Sequence, residues 1–154
     1  MPYLKELRFS VSSMMVPAAR NWRRTCDSVL CNLGVSAACA MPLLMLWRVG
    51  DGIHQVTLAR KMSIDSSSTV RLLDQLSAAG LVRQEYDRTD RRAKVVTLTD
   101  AGTRVAASID GALNQLRAEV LEGCSKEELE ATLRVLQMFA KSGEAGATDA
   151  ETMQ

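Results

Sequence analysis

Apolar residues near the start of the chain recur at steps of three and four, which is the spacing of one face of an α-helix. The pattern predicts a first helix over about residues 4–32, with an apolar stripe along one side. Pro17 lies inside this stretch. Because proline removes one backbone hydrogen bond and disfavours helical geometry at the preceding residue, we expect a break or kink near Val16, with the helix proper beginning after the proline.

A second helix is predicted over Ala37–Val49, because Ser36 can cap its start and the Gly50–Gly52 turn follows its end. Nearly every residue within it is apolar. Since a helix that is apolar on all sides is enclosed by other elements, we expect this to be the central core helix, with a local kink at Pro42.

Two shorter helices follow, the first over Gln55–Met62 and the second ending at about Ala79 before Gly80. Asp65 or Ser66 can cap the start of the second helix with a side-chain oxygen. Its outer face carries short hydroxyls, one guanidinium and one amide, the groups that bond phosphates and base edges. These residues are Ser66, Ser67, Ser68, Arg71 and Gln75.

Beyond Gly80 the apolar period changes to about two, which predicts a hairpin with strands at 81–86 and 93–98. The tip, residues 87–92, reads D-R-T-D-R-R and is too charged to be core. A solvated turn is the plain alternative. With a two-helix unit directly upstream, however, the tip is better interpreted as a basic finger, so residues 54–99 look like a winged helix-turn-helix.

The last third of the sequence is predicted to form two more helices. A long one opens at Thr99 and Asp100 and runs to about Glu122. The last begins at a capping box, in which Ser125 and Glu128 exchange hydrogen bonds with each other's amides, and is expected to end before Gly143. Residues 143–154 are small, polar and acidic, and we expect them to be disordered. The terminal helices carry more apolar surface than one small domain can cover, so pairing with a second copy is expected.

Length and composition limit the class of protein. At 154 residues there is room for one domain, and no apolar run reaches membrane-spanning length, so we expect a cytoplasmic protein with no membrane partner. The net charge of +1 argues against a nucleic-acid partner, but the acidic residues are concentrated after residue 100. A basic face can therefore coexist with a neutral total.

The chain has few groups for catalysis or metal binding. It contains one histidine and no C-x-x-C pair, which excludes the usual zinc spacings, and no G-x-S-x-G or phosphate loop. We therefore expect neither enzyme activity nor a metal or other cofactor. The four cysteines are most simply thiols buried on helices, although Arg23 and Arg24 lie close to Cys26 and could lower its pKa.

Three segments resemble the MarR family of bacterial transcriptional regulators. They are L-A-R-K-M-S-I-D at 58–65, V-R-L-L-D-Q-L-S-A-A-G-L-V-R at 70–83 and D-R-R-A-K-V-V-T-L-T-D-A-G at 90–102. The family's wing signature is filled in order by Asp90, Arg92, Ala93, Val96, Leu98 and Thr99. The resemblance covers about residues 8–142.

The resemblance implies a mostly α fold with a small β-hairpin wing (α+β), in one domain over residues 1–142. Within it, residues 54–99 form the DNA-binding lobe, and residues 4–32 and 100–142 form dimerisation helices. It further implies a homodimer that represses transcription from a palindromic site on double-stranded DNA. The two recognition helices would then lie roughly 34 Å apart.

For DNA contacts, we expect Arg71 to bind guanine and Gln75 adenine, with the serines on phosphates. The alternative is that these serines only cap the helix or form the turn before it. That role would explain one or two of Ser66, Ser67 and Ser68, but not all three. Arg91 is expected in the minor groove. The family pattern implies that Asp90 and Arg92 brace the wing. Arg83, Arg88 and Lys94 would neutralise phosphates.

The resemblance also implies release from DNA by a small aromatic carboxylate or phenolic ligand. The residues suited to bind one are Arg20, Trp22, Arg23, Trp47 and His54. The alternatives are that the two tryptophans are core residues, that the arginines only lie on the surface, and that His54 only caps a helix. Redox sensing through Cys26 is an alternative mode of regulation, because some relatives sense peroxide with a cysteine near the N-terminus. A module that had lost DNA binding would be expected to lose the wing arginines, which this chain retains.

Overall fold

The computed structural model describes the backbone of residues 1–151 and the side chains of residues 1–142. The elements in chain order are α1 (Pro2–Asn32), α2 (Ala37–Val49), β1 (Ile53–His54), α3 (Gln55–Met62), α4 (Ser66–Ala78), β2 (Val82–Tyr86), β3 (Lys94–Leu98), α5 (Asp100–Val120) and α6 (Lys126–Glu151). Two compact units are present, Met1–Leu116 and Arg117–Gln154. This mostly helical structure with a small β-hairpin confirms the predicted fold class.

Helix ends follow the predicted side-chain chemistry. The Ser36 hydroxyl accepts a bond from the amide of Cys39 at 3.3 Å and starts α2. At α6 the capping box forms as predicted, with the Ser125 amide donating to Glu128 Oε2 at 2.8 Å and the Glu128 amide to the Ser125 hydroxyl at 3.2 Å. These caps satisfy amides that have no partner inside the helix.

The sheet has three antiparallel strands in the order β1-β3-β2. The strand β1 was not predicted, because two residues are too few to show alternation. Gly52 makes this strand possible: its φ is +95°, and a Cβ there would lie 2.6 Å from Thr97 Cγ2 on β3. Only glycine allows both the backbone angle and the close approach.

The core of the first unit fixes the orientation of the helix-turn-helix. One buried cluster includes Leu43 and Leu46 of α2, Leu58 of α3, and Leu73 and Leu76 of α4. Each such leucine contributes about 1.5–3 kcal/mol by leaving water. The helices therefore turn their apolar stripes inward and their polar faces outward.

The expected break in the first helix is wrong, because α1 is continuous through Pro17. The missing bond leaves the carbonyl of Ser13 without its usual donor, but this part of α1 is exposed and water can bond that carbonyl. The loss is therefore confined to one backbone hydrogen bond, and the helix continues on both sides of Pro17. Pro42 likewise lies within α2.

Two other expectations need correction. Along α2 the inner face is buried, but Met41 and Trp47 are 49% and 38% exposed in the chain, so the helix is not enclosed on all sides. At the C-terminal end, α6 extends to Glu151, past Gly143, where the last helix was expected to end. The expected disorder of residues 143–154 falls on positions whose side chains, and for 152–154 the backbone, lie outside the described residues.

Among the helices of the described residues, none alone combines the length and apolar character needed to cross a membrane. The pair α1 and α2 passes that test jointly, with an 86° bend between them.

Thr99 joins the wing to the recognition helix and to α5. Its hydroxyl donates to the carbonyl of Gly80 at 2.6 Å and accepts from the amide of Gly102 at 3.0 Å, while its own amide donates to the carbonyl of Leu81 at 3.1 Å. The start of α5 lies so close to this turn that a Cβ on Gly102 would be 1.9 Å from the Leu81 carbonyl oxygen.

We therefore expect Gly102→Ala to lower the free energy of unfolding by about 2–3 kcal/mol, because a rigid backbone carbonyl must move. Gly111→Ala is the matched control in the same helix, since a Cβ there meets nothing within 4 Å in the chain. It should raise stability by about 0.5–1 kcal/mol. Urea denaturation followed by circular dichroism measures both, and equal effects would contradict the close approach.

Candidate nucleic-acid interface

The start of the recognition helix α4 is organised by Asp65. Its Oδ1 accepts from the Ser67 hydroxyl at 2.7 Å and from the Ser68 amide at 2.8 Å, and its Oδ2 accepts from the Ser68 hydroxyl at 2.7 Å. The Ser67 hydroxyl, followed by the amide and hydroxyl of Ser68, holds the pKa of Asp65 well below its usual range. The carboxylate therefore remains charged at neutral pH.

This network changes what the serines can do. With their hydroxyl protons directed to Asp65, Ser67 and Ser68 have no proton to donate to a phosphate in this arrangement. The Ser66 hydroxyl makes no hydrogen bond to another described residue. Ser67 and Ser68 therefore belong to the helix cap. Ser66 is the serine whose hydroxyl can contact DNA.

The outer face of α4 also contains residues that the sequence analysis did not select. Val70 is 40% exposed and precedes the exposed Arg71, so its methyl groups share the polar face. Asp74 accepts from the Gln84 side chain at 3.2 Å, which ties α4 to β2. Helical spacing alone could have found Val70, because it lies one turn after Ser66 and outside the buried stripe.

The wing turn is held by two aspartates. Asp90 Oδ1 accepts from the Arg92 amide at 2.9 Å, and the Asp90 carbonyl accepts from the Ala93 amide at 3.1 Å. Asp87 Oδ1 accepts from the amide and the hydroxyl of Thr89, both at 2.8 Å. The bracing expected of Asp90 and Arg92 therefore runs through the backbone of Arg92 and leaves its guanidinium exposed.

The cations of the wing are available to a partner. Arg83, Arg88, Arg91 and Arg92 are exposed, and none forms an ion pair with a carboxylate among residues 1–142. Lys94 lies over the ring of Tyr86 at 5.5 Å, on the neighbouring strand. Four guanidiniums and one ammonium thus stand on one small hairpin without a neutralising partner there.

His54 occupies the N-cap position of α3, but its side chain makes no capping hydrogen bond there. Its Nε2 lies 2.6 Å from Asp87 Oδ2, at the base of the wing. The amide of Thr89, followed by His54 and the Thr89 hydroxyl, holds the pKa of Asp87 well below its usual range. Local spacing could not predict this pair, because the two residues are 33 positions apart.

His54 also lines an open groove of about 560 Å³ between the start of α3 and the wing. The groove contains none of the other four residues expected to hold an aromatic ligand. Trp22 and Trp47 are 36% and 38% exposed, so the alternative that both are core residues is wrong for the single chain. Arg20 and Arg23 are exposed on α1.

The cysteines are less buried than expected. Cys26 and Cys39 are partly buried against the core, whereas Cys31 and Cys124 are exposed. Within the described part of the chain, no group of three or more histidine, cysteine or acidic side chains is placed to hold a metal ion.

The sequence and fold of this chain are similar to those of known proteins. A model of the MarR family matches residues 33–93. The crystal structure of transcriptional regulator PA3341 aligns with a TM-score of 0.77 at 32% identity, over 88% of this chain and 98% of that one.

Two more distant structures share the fold. MepR of S. aureus, solved as a DNA complex, aligns with a TM-score of 0.75 at 20% identity, over 85% of this chain and 96% of that one. CouR of Rhodococcus jostii RHA1, solved with bound p-coumaroyl-CoA, aligns at 0.74 and 22% identity, over 84% and 91%.

The match to PA3341 spans almost the whole of that regulator, and the family model covers the helix-turn-helix and most of the wing. Both agree with the mostly helical fold and small antiparallel sheet seen here. They also confirm that the protein is a regulator and not an enzyme. The chain belongs to the MarR family of transcriptional regulators.

Proposed function

We propose that this protein is a cytoplasmic repressor that binds a palindromic operator on double-stranded DNA as a homodimer. The observation that carries the proposal is the joint presentation of two elements by one small sheet and core. These are the polar outer face of α4 and a wing whose arginines have no carboxylate partner in the described chain. MepR, which shares the fold, has been solved with DNA.

The chemistry of α4 suits the major groove. Arg71 can donate two bonds to guanine and Gln75 can pair with adenine, while Val70 offers methyl groups to thymine. Ser66 can bond a phosphate. The charged Asp65 beside it repels phosphate, so the helix is expected to approach the bases through the residues that follow its first turn.

The wing suits the minor groove and the adjoining backbone. Arg91 is at the exposed tip, where a narrow A·T-rich groove concentrates negative potential. Arg83, Arg88 and Lys94 can neutralise phosphates, and Arg92 adds a further exposed guanidinium. Binding of this kind releases counterions, so the affinity should fall steeply as salt rises.

Exposed apolar residues on the terminal helices support the proposal that a second copy of the chain covers them. On α1, Leu7, Met14 and Val16 are between 46% and 63% exposed. On α6, Leu133 and Leu136 are 57% and 47% exposed and lie on one face at helical spacing. A monomeric protein rarely leaves such patches in water. A twofold pairing of identical chains is the commonest way to bury them.

For release from DNA we propose a small aromatic carboxylate or phenol, supported by the aromatic thioester bound to CouR. Trp22, Trp47, Arg20 and Arg23 remain the candidates, and their exposure in the single chain leaves them accessible to a ligand. His54 is engaged at the wing and is withdrawn from this set. Oxidation at the partly buried Cys26 is the alternative signal, and an aromatic acid or a peroxide added to a gel shift distinguishes the two.

We expect Arg91→Ala to weaken binding to the DNA upstream of the protein's own gene by about 1–3 kcal/mol, without unfolding the protein. The slope of log affinity against log salt should fall by about one for each protomer, because a guanidinium in the minor groove also displaces counterions from the adjoining phosphates. Gel shift or fluorescence anisotropy across a salt series gives both values. Arg8→Ala removes the same charge from exposed α1 and should change neither, so equal losses would argue against wing binding.

We expect Leu133→Glu to convert the dimer to monomers at micromolar concentration, because it places a charge in the apolar face of α6. Thr132→Glu adds the same charge to the exposed neighbouring position and should leave the dimer intact. Sedimentation velocity measures the two masses. A monomeric wild-type protein would remove the second copy from the proposal.

A further inference from the structure

His54 stands at the joint between the helix-turn-helix and the wing. It is the last residue of β1 and directly precedes α3, and it is paired with Val95 of the central strand β3. Its side chain reaches Asp87, which follows β2 on the other side of β3. The 2.6 Å contact therefore bridges the two outer strands of the sheet, at the end from which the wing projects.

Asp87 connects this contact to the wing tip. One carboxylate oxygen, Oδ2, meets His54, and the other, Oδ1, accepts both bonds from Thr89. The Asp87 amide donates to the Ala93 carbonyl at 2.9 Å and closes the hairpin. Moving Asp87 must therefore move the turn that carries the wing arginines.

The charges around His54 are mixed. Asp87 bonds it directly, and Asp90, Arg92, Lys94 and Tyr86 line the same groove. A protonated imidazole donates a charge-assisted hydrogen bond to Asp87, which is stronger than the bond from a neutral ring. Because the His54 side chain is about half exposed and Asp87 about one-fifth, solvent limits the strength of the pair.

We propose that His54 is a positioning residue for DNA binding, which holds the wing through Asp87 so that Arg91 and its neighbours are aligned with the duplex. This role rests on the proposed DNA-binding function. A charge-assisted bond to Asp87 holds the wing more tightly than a neutral one, so we expect DNA affinity to be higher at pH 5.5 than at pH 7.5. His54 is the only histidine in the chain, so any contribution of an imidazole to the pH profile comes from this residue.

The test measures DNA affinity at pH 5.5, 6.5 and 7.5, at constant salt, for the full chain and three variants. His54→Ala should weaken binding at pH 5.5 by about threefold for each protomer, or about tenfold for a dimer, and should remove the dependence on pH. Asp87→Asn keeps an oxygen for Thr89 but removes the charge facing His54, and should have the same two effects. The double variant should be no weaker than either single variant.

Direct attraction between a charged His54 and DNA gives a different pattern. Asp87→Asn would then retain the pH dependence, and that result would overturn the positioning role. Wild-type binding that His54→Ala leaves unchanged would overturn it as well, while leaving the proposed function intact.

Hydrogen exchange without DNA tests the hold independently of the proposed function. Exchange at residues 87–93 should be faster in His54→Ala than in wild type, and exchange at buried Leu73 and Leu76 should be unchanged. Equal exchange at 87–93 would contradict the proposal even if the wild-type protein failed to bind DNA. Failure of wild-type binding with faster exchange in the variant would instead reject only the DNA-binding function.

Discussion

The inward packing of α4 is the constraint on which the interface depends. Thr69, Leu73 and Leu76 are almost completely buried, and the Thr69 hydroxyl donates to the Asp65 carbonyl at 2.9 Å. Rotating the helix to hide its polar face would expose two leucines, at a cost of about 1.5–3 kcal/mol each. The core therefore decides which residues point outward, before any DNA is present.

The wing is tied to that core by buried Val82 and Val96 of its two strands and by polar contacts at its base. Thr99 connects its second strand to the turn after α4, and the His54–Asp87 pair lies at its base. Both contacts use groups at the ends of the strands and leave the arginines in solvent. A nearly neutral chain can in this way carry a local basic surface, because its acidic residues are concentrated after residue 100 or, like Asp65 and Asp87, accept hydrogen bonds.

Local sequence patterns were enough to predict most elements. The predicted limits of α2 and α3 agree with the structure. Ser36 marks the start of α2, and the glycines at 50 and 52 form the turn that separates α2 from β1 and α3. The continuity of α1 through Pro17 could not be predicted, since water can satisfy the carbonyl that a proline leaves without a donor. The Asp65 network and the His54–Asp87 contact depend on side-chain direction and on distant pairing, which one-dimensional spacing does not contain.

The central claim is that a polar helix and a basic wing are presented together, in duplicate, to a double helix. Footprinting on the DNA upstream of the gene tests it most directly, with dimethyl sulfate to probe guanine N7 in the major groove and hydroxyl radicals to probe the backbone along the minor groove. The account predicts two protected major-groove segments about 10 base pairs apart, each with protection of a neighbouring A·T-rich minor groove by the wing. A single protected segment, or major-groove protection with no protection of the neighbouring minor groove, would contradict it.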